Sequence, residues 1–192
     1  MRIVAGQYRG KALIAPPGQA TRPTSDRARE SIFNILEHAP WSPGLRDARV
    51  ADLFAGSGAL GLEAISRGAA FALFVETDEA ARGAIRDNIE ALGLFGTTRI
   101  HRRDCTDLGP MPSSAGAPFD LVFLDPPYAK GLGEKALEQM QAYGWLQPGA
   151  VVVLERGVEE TDIDLEGYDL LDERTYGAAR VLFMKANGQG QA

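Results

Sequence analysis

Two short groups of residues in this sequence have the types and spacing that a chemical site requires. The first is Asp52-Leu53-Phe54-Ala55-Gly56-Ser57-Gly58-Ala59-Leu60-Gly61, a G-x-G-x-x-G pattern that follows an apolar segment. Glycines are needed there because a side chain would block the turn or keep a ligand away from the backbone. Glu76 follows Gly56 by 20 residues, the spacing at which an acid reaches ribose hydroxyls. The pattern predicts a nucleoside cofactor: NAD, FAD or S-adenosylmethionine.

Asp52 helps to choose among these cofactors. A carboxylate at the start of the glycine loop would repel the phosphates of NAD or FAD, whereas S-adenosylmethionine carries a sulfonium and an ammonium but no phosphate. The acid favours S-adenosylmethionine, although it could also bind backbone amides of the loop. Asp104 follows a predicted strand, where it could accept the adenine amino group or act as a solvated loop acid. The predicted cofactor-binding residues are Asp52, Phe54, Gly56, Ser57, Gly58, Gly61, Glu76 and Asp104.

The second group is Asp125-Pro126-Pro127-Tyr128, which also follows an apolar segment. The two prolines fix φ and exclude a helix, so the carboxylate, the Pro126 carbonyl and the phenol are held rigidly. An exocyclic amino group of a base is a poor nucleophile because its lone pair is delocalised into the ring. Two acceptors that bind its N–H groups would favour the pyramidal form, and Tyr128 would hold a base taken out of its stack. We predict these four residues as the catalytic group, with no metal required.

Alternating strands and helices would position both groups. The apolar segments predict strands at 50–55, 71–76, 99–102, 119–124 and 150–154, and amphipathic patterns predict helices at 59–67, 78–92 and 132–143. Two further β-like segments, 168–175 and 180–185, have no helix between them and predict an antiparallel hairpin. The expected fold is α/β: a doubly wound, Rossmann-like and mostly parallel sheet with helices on both faces and an antiparallel hairpin at its C-terminal edge.

The N-terminal part predicts an extension of this core. Residues 2–5 and 11–15 are expected to pair as a hairpin, and Thr24 to cap a helix that ends near Glu37. We expect one domain over 1–186, with the extension at 1–37, the catalytic core at 50–186 and a disordered tail at 187–192.

The charge is distributed unevenly along the chain. The 192 residues have a net charge of −6, but residues 1–30 carry six basic and two acidic side chains. Arg9, Lys11, Arg22 and Arg27 therefore suit contacts with RNA phosphates, with solvated surface charges as the other interpretation. No segment predicts a membrane span or a secretory leader, and the single cysteine excludes an internal disulfide, so we expect a cytoplasmic protein. The two histidines do not suggest a metal site.

The motifs together resemble a known family. The glycine loop, Glu76 and the Asp-Pro-Pro-Tyr group resemble class I S-adenosylmethionine-dependent methyltransferases that methylate amino groups. The segments 2–10 and 21–34 are similar to the RsmD-type 16S ribosomal RNA guanine-N2 methyltransferases, and the similarity extends to about Lys185. The resemblance implies methylation of one guanine N2 in small-subunit ribosomal RNA, with a 30S particle or an assembly intermediate as the partner.

Other functions remain open from the residues alone. Adenine N6 of DNA or RNA, or a glutamine amide of a protein, would use a similar acid- or Asn-Pro-Pro-aromatic group. The missing DNA-recognition domain favours a structured RNA. An NAD-dependent oxidoreductase is a remote alternative, which Asp52 and the absence of a placed hydride-transfer partner disfavour. A non-catalytic RNA-binding module would not need Asp125.

Overall fold

A seven-stranded sheet forms the centre of the computed structural model, which describes residues 1–18 and 25–188. The strands are β1 (Arg49–Leu53), β2 (Phe71–Val75), β3 (Thr98–His101), β4 (Phe119–Leu124), β5 (Leu146–Gly157), β6 (Tyr168–Tyr176) and β7 (Ala179–Ala186). The helices are α1 (Asp26–His38), α2 (Ala59–Ser66), α3 (Glu79–Leu92) and α4 (Leu132–Ala142). The strand order is β3-β2-β1-β4-β5-β7-β6, in which β7 pairs antiparallel with both neighbours and the other pairs are parallel. The predicted fold class is confirmed.

Both faces of the sheet are buried. Successive residues of β1, Val50 and Ala51, belong to two different apolar clusters, as the twofold period of a strand requires. One cluster includes apolar side chains of α1, α2 and α3, and the other includes those of α4. The carboxyl ends of β1, β2, β4 and β5 therefore meet at one edge between these layers, where open α/β sheets bind ligands.

Strand β5 is longer than the predicted 150–154. The sequence Gln147-Pro148-Gly149 is typical of a turn, but it lies within the strand, where the register of the β4 pairing shifts and Gly149 has φ +76°. Such an irregularity accommodates a proline without breaking the sheet. Beyond Leu154 the strand continues to Gly157 because it pairs with β7, and this pairing places Glu155 in regular strand structure.

The N-terminal arm, residues 1–18, pairs antiparallel as predicted but does not form regular strands. Only one isolated bridge joins Arg2 to Ala12, flanked by backbone hydrogen bonds such as that from the Ile3 N–H to the Lys11 carbonyl. Side chains of α2 and α3 bind backbone N–H and carbonyl groups of the arm that regular strands would otherwise pair. Glu63, which is fully buried, accepts the N–H groups of Val4 and Ala5 at 2.8 and 3.0 Å.

Asn88 and Ser66 complete this attachment of the arm. The Asn88 side chain accepts the Ile14 N–H at 2.7 Å and donates to the Ile14 carbonyl at 3.0 Å. Ser66 Oγ accepts the Tyr8 N–H and donates to the Ala5 carbonyl. The arm is thus fixed by buried polar groups of the core.

Two of the predicted boundaries differ from the structure: the N-cap of α1 and the start of the disordered tail. The N-cap of α1 is Ser25, whose hydroxyl accepts the Ala28 N–H at 3.1 Å, and not Thr24, which lies outside the described residues. The predicted disordered tail begins at Asn187, yet the Asn187 N–H donates to the Gly167 carbonyl at 3.0 Å. Residues 189–192 lie outside the described residues. Within residues 1–18 and 25–188 no helix is both long and apolar enough to cross a membrane.

Candidate active site

A cavity of about 910 Å³ lies at the carboxyl edge of the sheet. Ten of the twelve predicted cofactor-binding and catalytic residues line it: Asp52, Phe54, Gly56, Ser57, Glu76, Asp104, Asp125, Pro126, Pro127 and Tyr128. The two predicted sites are therefore walls of one space. Gly58 and Gly61 do not line the cavity, and their role is to shape the loop.

The glycine loop turns sharply from β1 into α2. Gly56 and Gly58 have φ of +58° and +78°, a region that glycine adopts without a steric penalty. Gly61 is required for a different reason: a Cβ there would lie 2.5 Å from the ring of Phe74 on β2. The third glycine thus lets helix α2 pack closely on the sheet, as the motif predicts.

Phe54 adopts the left-handed region as well, with φ +57°. This conformation costs a residue with a Cβ roughly 1–2 kcal/mol. The Phe54 N–H donates to the Cys105 sulfur at 3.3 Å. Backbone in a rare conformation at the cavity wall indicates that the surrounding structure determines the path of this loop.

Asp52 is almost completely buried, with 1% of its surface exposed. Its carboxylate accepts the Gly61 N–H at 2.9 Å, so it does bind a backbone amide of the loop while bordering the cavity. Burial raises the pKa of Asp52 to about 8, because removal from water disfavours the charged form; the Gly61 hydrogen bond acts in the opposite direction.

Glu76 connects the end of β2 with the glycine loop. One carboxylate oxygen accepts the Gly56 N–H at 2.9 Å, and the other accepts the Asp78 N–H at 2.9 Å. Asp104 is exposed, and the hydrogen bonds from the hydroxyl and the N–H of Thr106 lower the pKa of its carboxyl group. Both acids therefore stand at the cavity wall with their orientation fixed by neighbouring residues.

Asp125 follows the last residue of β4, and its N–H still donates to the Leu53 carbonyl of β1 at 3.5 Å. Burial raises the pKa of Asp125 well above its ordinary value, and the charges of Glu155 and Asp52 raise it further. The Tyr128 hydroxyl donates to a carboxylate oxygen of Glu155. A buried acid that keeps a proton more tightly than usual is a feature of functional sites.

Glu155 and Arg29 are among the cavity residues that were not predicted. Glu155 lies on β5 one residue beyond the predicted end of that strand, and an acid at the carboxyl end of a parallel strand was the signal that could have revealed it. Arg29 of α1 is 1% exposed and uses Nη2 to bind Asp26 and the Arg2 carbonyl, while its Nε and Nη1 find no hydrogen-bond partner. The Arg29 side chain is buried because the arm packs over it, and hydrophobic periodicity in the sequence does not predict this packing.

A second cavity of about 860 Å³ adjoins the first. Tyr128 and Glu155 line both cavities, and the second is otherwise formed by the start of α1 and by the β6–β7 turn. Arg27, one of the predicted RNA contacts, is exposed and lines the second cavity. Arg9 and Lys11 are exposed on the arm and line neither cavity, and Arg22 lies outside the described residues.

Most of the ionisable side chains that line the first cavity are acidic. Its lining contains six acids, Asp52, Glu76, Asp78, Asp104, Asp125 and Glu155, and two arginines, Arg29 and Arg103. Within the described part of the chain no group of three or more His, Cys, Asp or Glu side chains is arranged to hold a metal ion. The space is therefore suited to a positively charged ligand and unsuited to a pyrophosphate.

Comparison with known proteins identifies the family of this chain. The model of the family described as conserved hypothetical protein 95 matches residues 1–185. The chain belongs to this family. It is 39% identical over 159 residues to the ribosomal RNA small subunit methyltransferase D of Escherichia coli strain K12, covering 83% of this chain and 76% of the relative. The resemblance stated from the motifs is confirmed.

Solved structures share the fold. An Escherichia coli structure provisionally named as a methyltransferase has a TM-score of 0.82 and 34% identity, covering 98% of this chain and 99% of the other. A more distant methyltransferase-like structure, SMU.776 in complex with SAH, has a TM-score of 0.59 at 14% identity and covers 82% of this chain and 49% of the other. The second likeness concerns the fold alone.

Proposed function

We propose that this family member transfers a methyl group from S-adenosylmethionine to the exocyclic N2 of a guanine in small-subunit (16S) ribosomal RNA. The observation that carries the proposal is the shared cavity, in which the glycine loop and Glu76 face the same space as Asp125 and Tyr128. A relative at 39% identity is named as a ribosomal RNA small subunit methyltransferase, which supports this RNA as the substrate. We further propose a 30S particle or assembly intermediate in the cytoplasm as its partner.

The residues of the cavity fit S-adenosylmethionine better than a phosphate-containing cofactor. When bound, this cofactor supplies a methyl group on a positively charged sulfur. Six acids and two arginines line the cavity, so even with Asp52 and Asp125 protonated the acids outnumber the arginines, and the lining would attract such a cation and repel NAD or FAD. Glu76 would accept hydrogen bonds from ribose hydroxyls, the glycine loop would allow close approach of the ligand to the backbone, and Asp104 would accept the adenine amino group.

At the end of β4, Asp125 and the Pro126 carbonyl would accept the two N–H groups of the target amine. This arrangement localises the nitrogen lone pair and directs it toward the cofactor side of the cavity. The raised pKa of Asp125 suits its carboxylate to take the proton that the nitrogen releases, because a stronger base holds that proton more readily. Pro126 and Pro127 keep the two acceptors at a fixed spacing, and Tyr128 supports the base.

One experiment tests the proposal against its rivals. Labelled S-adenosylmethionine is offered with naked ribosomal RNA, 30S subunits, DNA and protein in parallel, and the products are hydrolysed and identified. We expect N2-methylguanine from the ribosomal substrate. Label in N6-methyladenine or in methylglutamine would establish one of the alternative acceptors, and binding of NAD in place of S-adenosylmethionine would contradict the proposal.

The variant Asp125→Ala tests the assigned chemistry in the same assay. We expect the rate of methyl transfer to fall about 10²- to 10⁴-fold, the usual contribution of a positioned proton acceptor. Affinity for S-adenosylmethionine, measured by calorimetry, should stay within about threefold. Asp169→Ala, at an exposed position, is the control variant. Asp120 is unsuitable for this purpose because its carboxylate accepts the Arg49 N–H. Retained activity in Asp125→Ala would remove Asp125 from the mechanism.

A further inference from the structure

Glu155 lies beside Asp125 at the carboxyl edge of the sheet. The parallel pairing of β4 and β5 sets Leu124 opposite Leu154, so Asp125 and Glu155 are the next pair along neighbouring strands, whose backbones are about 4.8 Å apart. Both side chains line the first cavity, and the charge of Glu155 contributes to the raised pKa of Asp125. The two carboxyl groups therefore face the same small part of the site.

The position of Glu155 is rigidly determined. The residue lies inside β5, where it pairs with Val181 of β7, and only 8% of its surface is exposed. The Tyr128 hydroxyl donates to its carboxylate and so connects it to the Asp-Pro-Pro-Tyr group. Because Tyr128 and Glu155 line both cavities, they stand where a base entering from the second cavity would meet the cofactor space.

We propose that the Glu155 carboxylate accepts the N1–H of the target guanine and thereby selects guanine over other bases. The inference rests on the proposed function, because Asp125 and the Pro126 carbonyl must hold the neighbouring N2 group. Guanine presents N1–H and N2–H as adjacent donors on its Watson–Crick edge, whereas adenine presents an acceptor at N1. An ionised carboxylate only accepts hydrogen bonds, so it matches the guanine edge and repels the adenine edge.

The hydrogen bond from Tyr128 is compatible with this role. A carboxylate has about four acceptor sites, so a phenol and a base N–H bind to it together. The phenol also fixes which way the carboxylate faces, because its own ring is held by the Pro-Pro segment and lies against Gly157, where a Cβ would come within 3.2 Å of the ring. Selection by a buried hydrogen-bonding group is strong, since a base without the matching donor leaves that group unpaired.

The test uses target RNA in which 2-aminopurine replaces the guanine. This base keeps the 2-amino group but has an acceptor at N1. We expect the wild-type protein to methylate the guanine RNA about 100-fold faster or more. Glu155→Gln introduces an amide that both donates and accepts, so the ratio of the two rates should fall at least tenfold. Glu159→Gln, which removes the same charge from an exposed residue outside both cavities, should keep the wild-type ratio.

Each outcome decides a different point. Equal wild-type rates on the two RNAs would overturn the role of Glu155 while leaving guanine methylation intact. Methylation of neither RNA by the wild-type protein would overturn the proposed function and this inference with it. Loss of both rates in equal measure in Glu155→Gln, with cofactor binding retained, would show that Glu155 only supports Tyr128. Glu155→Ala provides a second variant without the charge, in which the ratio should also collapse.

Discussion

At the scale of single residues, Asp52 meets two opposing requirements. Its carboxyl group is buried and hydrogen-bonded to the Gly61 N–H, and burial raises its pKa to about 8. The neutral form is therefore the more populated one near pH 7. A cation bound in the cavity would favour the ionised form, so ligand binding and the protonation of Asp52 are linked.

This linkage predicts how stability depends on pH without a ligand. The folded pKa of about 8 lies above the ordinary value of 3.8, so the unfolded chain binds fewer protons between these two values. The free energy of unfolding should be highest below about pH 4 as far as this group is concerned, and should decrease on the order of a few kcal/mol as the pH rises to 8.

Urea unfolding of wild type and Asp52→Asn between pH 5 and pH 8.5 measures this effect. The asparagine stays neutral and its oxygen can still accept the Gly61 N–H, so the variant should show a flatter pH dependence. Its affinity for S-adenosylmethionine should fall. Asp169→Asn, at an exposed position of β6, should leave both properties unchanged. Parallel curves for wild type and Asp52→Asn would contradict the raised pKa.

The sequence revealed site residues where the chemistry is contained in a short local motif. Asp52 to Gly61 and Asp125 to Tyr128 are of this kind, because glycine and proline restrict the backbone wherever they occur. Glu155 and Arg29 were missed because their importance depends on strand register and on burial by the docked arm. Such long-range properties are not encoded in the neighbouring residues.

At the scale of elements, the arm is connected to two parts of the core, α3 and the glycine loop. Asn88 of α3 binds both backbone groups of Ile14, and its amide also donates to the Ser57 carbonyl of the glycine loop at 3.0 Å. Met1 and Pro16 of the arm line the first cavity. One buried side chain therefore connects the arm, α3 and the loop that is assigned to the cofactor.

We expect Asn88→Ala to destabilise the protein by about 1–3 kcal/mol, because it removes the partner of the part-buried backbone groups of Ile14 and of the buried Ser57 carbonyl. The arm should become a site of early proteolysis, and the Kd for S-adenosylmethionine should increase. Thermal unfolding, limited proteolysis and calorimetry measure the three effects. Asp87→Ala, at the exposed neighbouring position, is the control. An intact arm in Asn88→Ala would contradict this role of the side chain.

The order and type of the core helices and strands were predicted from hydrophobic periodicity, whereas the conformation of the arm was not. Strand β4 has the predicted bounds, and the hairpin of β6 and β7 is antiparallel as expected. The arm pairs antiparallel at Arg2 and Ala12 as predicted, but this pairing does not extend into regular strands. Glu63, Ser66 and Asn88 instead bind backbone groups that longer strands would pair. Polar side chains more than fifty positions away in sequence supply these bonds, and a local pattern does not report them.

At the scale of the whole molecule, the charge is separated in space as well as in sequence. Arg9 and Lys11 are exposed on the arm and Arg27 borders the second cavity, while six acids line the first. We propose that the basic residues contact RNA phosphates while the acids act on the cofactor and the base. The separation reduces competition between the acidic cavity and the RNA backbone.

This division predicts a salt dependence that follows the basic residues. Replacing Lys11 and Arg27 by alanine should weaken binding of the ribosomal RNA target and reduce the slope of log K against log salt by about 0.7 for each lost phosphate contact with single-stranded RNA. Lys185→Ala is the matched control, since Lys185 pairs with Val151 at the opposite end of β5 from Glu155. An unchanged slope would show that Lys11 and Arg27 are ordinary surface charges that do not contact RNA phosphates.

The docked arm also constrains the order in which the protein is assembled during synthesis. Residues 1–18 are translated before their binding partners Glu63, Ser66 and Asn88, which lie 58 to 74 positions after the residues they bind. The arm therefore leaves the ribosome long before it has anything to dock on, and contacts of such long sequence separation form late. The wall that Met1 and Pro16 contribute to the first cavity is consequently completed only after α3 has been made, so in a nascent chain ending before Asn88 this cavity is unfinished.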